Sequence, residues 1–104
     1  MAFVPFDDRD GWIWFDGEFV PWREAKTHVL THGLHYGSSV FEGERMYGGE
    51  IFKLTAHSER LKRSAELLDF EIPYSVAEID AACKETCARN GLIDCYIRPV
   101  AYLG

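Results

Sequence analysis

The run Thr31-His32-Gly33-Leu34-His35-Tyr36-Gly37-Ser38-Ser39-Val40-Phe41-Glu42-Gly43-Glu44-Arg45 decides how this chain folds, because its second half alternates and its first half does not. Three glycines and two histidines fall within these fifteen residues. Gly33 and Gly37 break any helix there, so residues 22–37 are expected to be loop with a short strand. From Ser38 to Tyr47 the pattern suits a strand. Phe41, Gly43, Arg45 and Tyr47 point one way, and Val40, Glu42, Glu44 and Met46 the other. An irregular segment feeding a strand is a place where side chains are aimed at a ligand.

Outward from this strand, Gly48-Gly49 makes a tight turn into Glu50-Ile51-Phe52-Lys53. Upstream, Asp16-Gly17 joins Trp12-Ile13-Trp14-Phe15 to Glu18-Phe19-Val20 as a two-residue hairpin, and residues 1–10 form an acidic, irregular lead-in. Downstream, Thr55 is the expected N-cap of a helix through about Leu68, with Leu54, Leu61, Ala65 and Leu68 on its apolar side, His57 on or near it, and Arg60 in the second turn. Ser75-Val76-Ala77-Glu78 has capping-box spacing for a second helix, which Gly91 stops. Its buried stripe is Ile79, Ala82, Cys83, Thr86 and Cys87. Leu92 to Leu103 is the last strand, with Asp94, Tyr96 and Arg98 on one face; Pro99 cannot donate to a ladder, so that strand is at an edge or bulges. The fold class is α+β, an antiparallel sheet with two helices packed on one face.

The chain has 104 residues, 47% hydrophobic and 14% aromatic, with a formal net charge of -6. One packed domain is expected and disorder is not. No basic field exists to attract nucleic acid or an anionic membrane, and no apolar run approaches the roughly 20 residues of a membrane span. The N-terminus lacks the pattern of a secretory signal. The three cysteines, Cys83, Cys87 and Cys95, have no framework spacing and suit reduced thiols in a cytoplasmic protein.

Several residues admit a chemical and a structural reading. Tyr96 and Arg98 project together from one strand face and suit carboxylate recognition, or Arg98 is an edge-strand ion-pair partner. Arg60 could clamp a phosphate, or lie on a solvated helix face among Glu59, Lys62, Arg63 and Glu66. His28, His32 and His35 invite a zinc site, but that geometry needs a helix, so hydrogen bonding within the loop is expected and no metal. Glu42 and Glu44 share a strand face and could mimic an acid/base pair, but are expected to point to solvent or to an arginine. Gly43 weakens a strand unless a ligand approaches its backbone, or the strand bulges or packs tightly there.

Taken together, Trp14-Phe15-Asp16-Gly17-Glu18, His32-Gly33-Leu34-His35-Tyr36-Gly37, Val40-Phe41-Glu42-Gly43-Glu44-Arg45, His57-Ser58-Glu59-Arg60-Leu61 and Tyr96-Ile97-Arg98-Pro99 resemble, in order and separation, the small N-terminal domain of branched-chain amino acid aminotransferases. These are pyridoxal-phosphate enzymes of fold type IV. The resemblance implies that Arg60 binds the cofactor phosphate and Tyr96 helps hold the substrate α-carboxylate. It implies that Arg98 receives the side-chain carboxylate of glutamate, that Phe41 lines the pocket for a branched side chain, and that Gly43 leaves room beside the cofactor. Tyr36 matches a tyrosine that reaches into a partner subunit's pocket, so a homodimer at least is implied. The substrates implied are leucine, isoleucine or valine with 2-oxoglutarate, in the cytoplasm.

Among Lys26, Lys53, Lys62 and Lys84 none matches the family's cofactor lysine. Residues 1–104 are therefore expected to be the N-terminal small domain of a two-domain enzyme, inactive alone, with the lysine in a C-terminal domain. Three alternatives stay open. The chain could belong to a D-amino acid aminotransferase, to an aminodeoxychorismate lyase relative, or be a stand-alone, non-catalytic ligand-binding or dimerisation domain.

Overall fold

In the computed structural model, which describes residues 3–104, Asp16 and Gly17 both take positive φ, 48° and 92°. That is what a two-residue hairpin turn requires. It joins β1 (Trp12–Phe15) to β2 (Glu18–Pro21), as the sequence predicts. The hairpin is fastened to the rest of the chain at both ends. Asn90 donates to the Trp12 carbonyl (2.9 Å) and accepts from its N–H (3.0 Å), while the Tyr74 hydroxyl donates to Asp16 (2.9 Å). Residues 3–10 are irregular, as expected, and Arg23 bonds Asp8 and Asp10 to hold them; Met1 and Ala2 of that lead-in lie outside the described residues.

The predicted strand over Ser38–Tyr47 divides in two, β3 (Ser39–Phe41) and β4 (Glu44–Tyr47), and so does the last strand, into β6 (Cys95–Ile97) and β7 (Val100–Tyr102). β3 pairs with β7, and β4 lies between β5 (Glu50–Ile51) and β6, all antiparallel. The register does not slip at the break. Phe41 faces Val100 and Glu44 faces Ile97, so two residues on each side fill the gap and no bulge forms. The Glu42 N–H still donates to the Pro99 carbonyl at 3.0 Å. Pro99 has no N–H to return the bond, which interrupts the ladder while leaving the two strands running as one ribbon. β6 is at a sheet edge, where a strand that runs on towards Pro99 belongs.

Three expectations about helices need correction. His32–Tyr36 is a short helix, α1, in spite of Gly33. Gly33 donates to the Leu103 carbonyl (2.9 Å), and a Cβ there would stand 2.9 Å from the Tyr102 Cβ, so the glycine is required by close packing rather than by helix breaking. Gly37, at φ 69°, does end the helix. The second correction is the start of α2 (Leu54–Leu67): the residue before it is Lys53 at φ 53°, and the Thr55 hydroxyl donates instead to Asp80 across the helix pair (2.7 Å). Leu68, beyond the helix end, is exposed rather than part of its apolar side.

α3 (Val76–Arg89) has the predicted capping box in both directions, Glu78 N–H to Ser75 Oγ (3.1 Å) and Ser75 N–H to Glu78 Oε1 (3.0 Å). Gly91 follows at φ 64°, and the Leu92 N–H reaches back to the Cys87 carbonyl (3.0 Å). The core is built from Leu54, Leu61 and Ala65 of α2, Ile79 and Cys83 of α3, and Ile72 between them, packed against Val40, Ile97 and Ala101 of the ribbon. Both helices thus cover one side of the ribbon. Its other side is open, and among the described residues no helix is long and apolar enough to cross a membrane.

Candidate active site

Alternation along the ribbon sorts its side chains into two ranks. Glu42, Glu44 and Met46 are buried under the helices, whereas Phe41, Gly43, Arg45 and Tyr47 lie on the open side. Tyr96 stands directly across from Arg45 and is also exposed. Arg98 folds its guanidinium over the Phe41 ring, 3.8 Å from the centroid. A Cβ on Gly43 would meet the Tyr96 hydroxyl at 2.9 Å. The glycine is therefore there to let the phenol lie across the strand, which decides between the tight-packing and bulge readings. Phe41, Gly43, Tyr96 and Arg98 form one apolar-and-cationic patch.

Beneath Gly43's neighbour lies the second element of the site. Glu42 is only 5% exposed and takes three contacts from Arg60: Nε to Oε2 (2.9 Å), Nε to Oε1 (3.0 Å) and Nη2 to Oε1 (2.6 Å). His57 Nδ1 bonds the same Oε1 at 2.7 Å. The Arg60 hydrogen bonds hold the Glu42 carboxyl below its usual range despite burial, with His57 adding to the effect, and Glu42 in turn raises Arg60. Arg60 remains 59% exposed, and its Nη1 has no hydrogen-bond partner among the described residues. A guanidinium with a free donor and a fixed charge fits a phosphate.

Glu44 behaves differently. It is 1% exposed and neither carboxylate oxygen has a partner among the described residues. Burial pushes it up to about 7; His57 opposes that rise, and Glu42 and Asp80 add to it. The expectation that Glu42 and Glu44 point to solvent or to an arginine holds for Glu42 alone.

Tyr36 stands apart from the patch. It is 76% exposed on α1, and its ring lies 4.5 Å from His32 and 6.2 Å from His35. The three histidines make local hydrogen bonds, though His32 and His35 do so from α1 rather than from a loop: His28 Nδ1 accepts from the Leu30 N–H (3.0 Å), His32 meets Ser38 Oγ (2.5 Å), and His35 meets the Val29 carbonyl (2.5 Å). Of the lysines, Lys62 is spent on the carbonyls of Ile72 and Tyr74. Two features escaped the sequence. Glu42 and His57 hold Arg60, and Arg45 shares the open face with Tyr96. Strand parity already grouped Arg45 with Phe41 and Gly43, but nothing local ties a helix arginine to a strand glutamate 18 residues away.

Fold and site together define a small α+β domain with an exposed arginine anchored on a buried carboxylate and an aromatic, arginine-bearing patch on its open side. A profile of the Amino-transferase class IV family matches residues 39–104, and the chain belongs to that family. It is 52% identical over 101 residues to the branched-chain-amino-acid aminotransferase of Pseudomonas aeruginosa, covering 93% of this chain and 33% of that protein. The solved structure of the Escherichia coli branched-chain amino acid aminotransferase superposes with a TM-score of 0.88 at 41% identity, over 92% of this chain and 34% of the other. A branched-chain amino acid aminotransferase from T.th., complexed with N-(5'-phosphopyridoxyl)-L-glutamate, superposes with a TM-score of 0.87 at 50% identity, over the same shares. The chain spans about a third of the length of these relatives.

Proposed function

We propose that residues 1–104 are the N-terminal small domain of a two-domain, pyridoxal-phosphate-dependent branched-chain amino acid aminotransferase. It would move an amino group between leucine, isoleucine or valine and 2-oxoglutarate. The observation that carries this reading is Arg98 lying 3.8 Å over the Phe41 ring, beside Tyr96 and Gly43. Such an enzyme must accept an aliphatic side chain and a carboxylate in turn. A bare cation in the pocket would penalise the aliphatic substrate, because burying an unpaired charge is expensive. A guanidinium resting on an aromatic face has a partner already, worth on the order of 0.5–2 kcal/mol. It can stay there beside leucine and leave the ring for the side-chain carboxylate of glutamate, a stronger, bidentate partner.

The other roles follow from chemistry. Arg60 would hold the cofactor phosphate, and Gly43 would leave room beside the ring. The Tyr96 hydroxyl would donate to the substrate α-carboxylate. The cofactor, once bound, supplies an electron sink for the substrate α-carbon. The covalent lysine would come from a C-terminal domain, as would the remaining phosphate contacts. The exposed Tyr36 would reach a partner subunit in a homodimer working in the cytoplasm, within branched-chain amino acid biosynthesis.

The test is a substrate comparison on the full-length protein. Leucine, isoleucine and valine with 2-oxoglutarate should be turned over far better than D-amino acids or aminodeoxychorismate. Arg98→Ala should raise the KM for glutamate by about 10- to 100-fold, the equivalent of one lost charged hydrogen bond. The KM for leucine should move little. Equal effects on both substrates would remove Arg98 from the carboxylate role.

A further inference from the structure

We infer that Glu42 is a positioning residue for an anion-binding Arg60: its buried carboxylate takes the Nε–Nη2 edge of the guanidinium and leaves Nη1 as the donor for the phosphate. This rests on the reading that Arg60 receives a phosphate group. The geometry is specific. Glu42 is on the inward rank of the ribbon, 5% exposed, whereas Arg60 is on α2 and mostly exposed. An exposed arginine has rotamer freedom to lose when it grips a ligand. Here three hydrogen bonds to one buried carboxylate have already removed it. His57 completes the anchor by bonding Glu42 Oε1 from the preceding turn of the same helix, 2.7 Å away.

The opposite role is equally concrete. A carboxylate touching Arg60 could compete with an incoming phosphate, and simple charge repulsion says that removing it should tighten anion binding. The two roles predict opposite signs. In Glu42→Gln the charge is lost and only one oxygen remains, so in either amide orientation the NH2 group faces a guanidinium N–H, Nη2 in one and Nε in the other, and the fixed setting weakens.

The experiment measures binding of pyridoxal 5'-phosphate and of pyridoxal, which lacks the phosphate, to the full-length apoprotein. The ratio of the two dissociation constants isolates the phosphate contribution, and a general loosening of the fold would shift both alike. Arg60→Ala should lower the ratio about tenfold or more, the rest of the preference coming from the other phosphate contacts; if it leaves the ratio unchanged, the phosphate reading of Arg60 fails, and Glu42 with it. With that established, Glu42→Gln should reduce the ratio about tenfold or more, the loss expected of a charge-assisted hydrogen bond. An unchanged or larger ratio would overturn the positioning role and leave Glu42 a bystander or a competitor. Arg60→Lys keeps a cation beside Glu42 but replaces the rigid two-edged fork by a single ammonium. It should lower the ratio about as much as Glu42→Gln does, and a preserved preference would overturn the proposal independently of any Glu42 variant.

Discussion

Glu42 and Glu44 are two residues apart on one strand face, yet they respond to pH in opposite directions. Glu42 is lowered by Arg60, so its contribution to stability is present above the ordinary carboxylate range and fades on acidification. Glu44 is raised from 4.5 to about 7 by burial. Below pH 4.5 it is protonated both folded and unfolded and exerts no drag. As pH rises through that window the unfolded chain ionises first and stability falls, by about 3 kcal/mol once above pH 7. Glu44→Gln should therefore match the parent protein at about pH 4 and exceed it at about pH 8, read from urea midpoints. The same difference at both pH values would show that Glu44 does not change its protonation. Strand parity in the sequence places Glu44 beside Glu42, facing the same way. What parity cannot supply is depth, because the helices that cover Glu44 begin ten and more residues further along the chain.

The elements differ in how far they can be read locally. The Asp16-Gly17 hairpin and the Ser75–Glu78 capping box depend on four-residue patterns, and both form as predicted. Ser75→Ala removes an acceptor from the Glu78 N–H and should lower stability by about 1 kcal/mol, seen as a shift in the denaturation midpoint with an unchanged slope. The α1 helix was illegible for the converse reason. Its Gly33 is fixed by Leu103 and Tyr102, some 70 residues away, and intrinsic propensity points the wrong way. Thr55 misled in a similar manner: it looks like a cap, but its hydroxyl is claimed by Asp80 of the facing helix. The division of the ribbon was half legible, since Pro99 announces a missing donor but not which residue opposite must do without it.

On the scale of the whole molecule, the domain has a sealed side and an open one. The cysteines belong to the sealed side. Burial pushes Cys83 up to about 12 and Cys87 up to about 11, Cys87 also being raised by the neighbouring Cys95, whose sulfur lies 3.8 Å away. Both thiols should resist an aromatic disulfide reagent at about pH 8 until the core opens, so that native protein reacts with at most one equivalent and unfolded protein with three. Two or more fast equivalents in the native state would mean that the helices do not seal the ribbon. The candidate site is legible from spacing only as far as its members; that Arg98 rests on Phe41 on the open side, or that Arg60 is gripped by Glu42 on the other, comes from packing between elements.

The unslipped register through Glu42–Pro99 and Gly43–Arg98 constrains how this segment can change length. Because successive strand residues alternate sides, inserting one residue after Phe41 would send Gly43 and Arg45 under the helices and lift Glu42 and Glu44 into the open. Arg60 would lose its anchor in the same stroke. Between α1 and the Gly48-Gly49 turn, insertions and deletions are therefore tolerable only in even numbers.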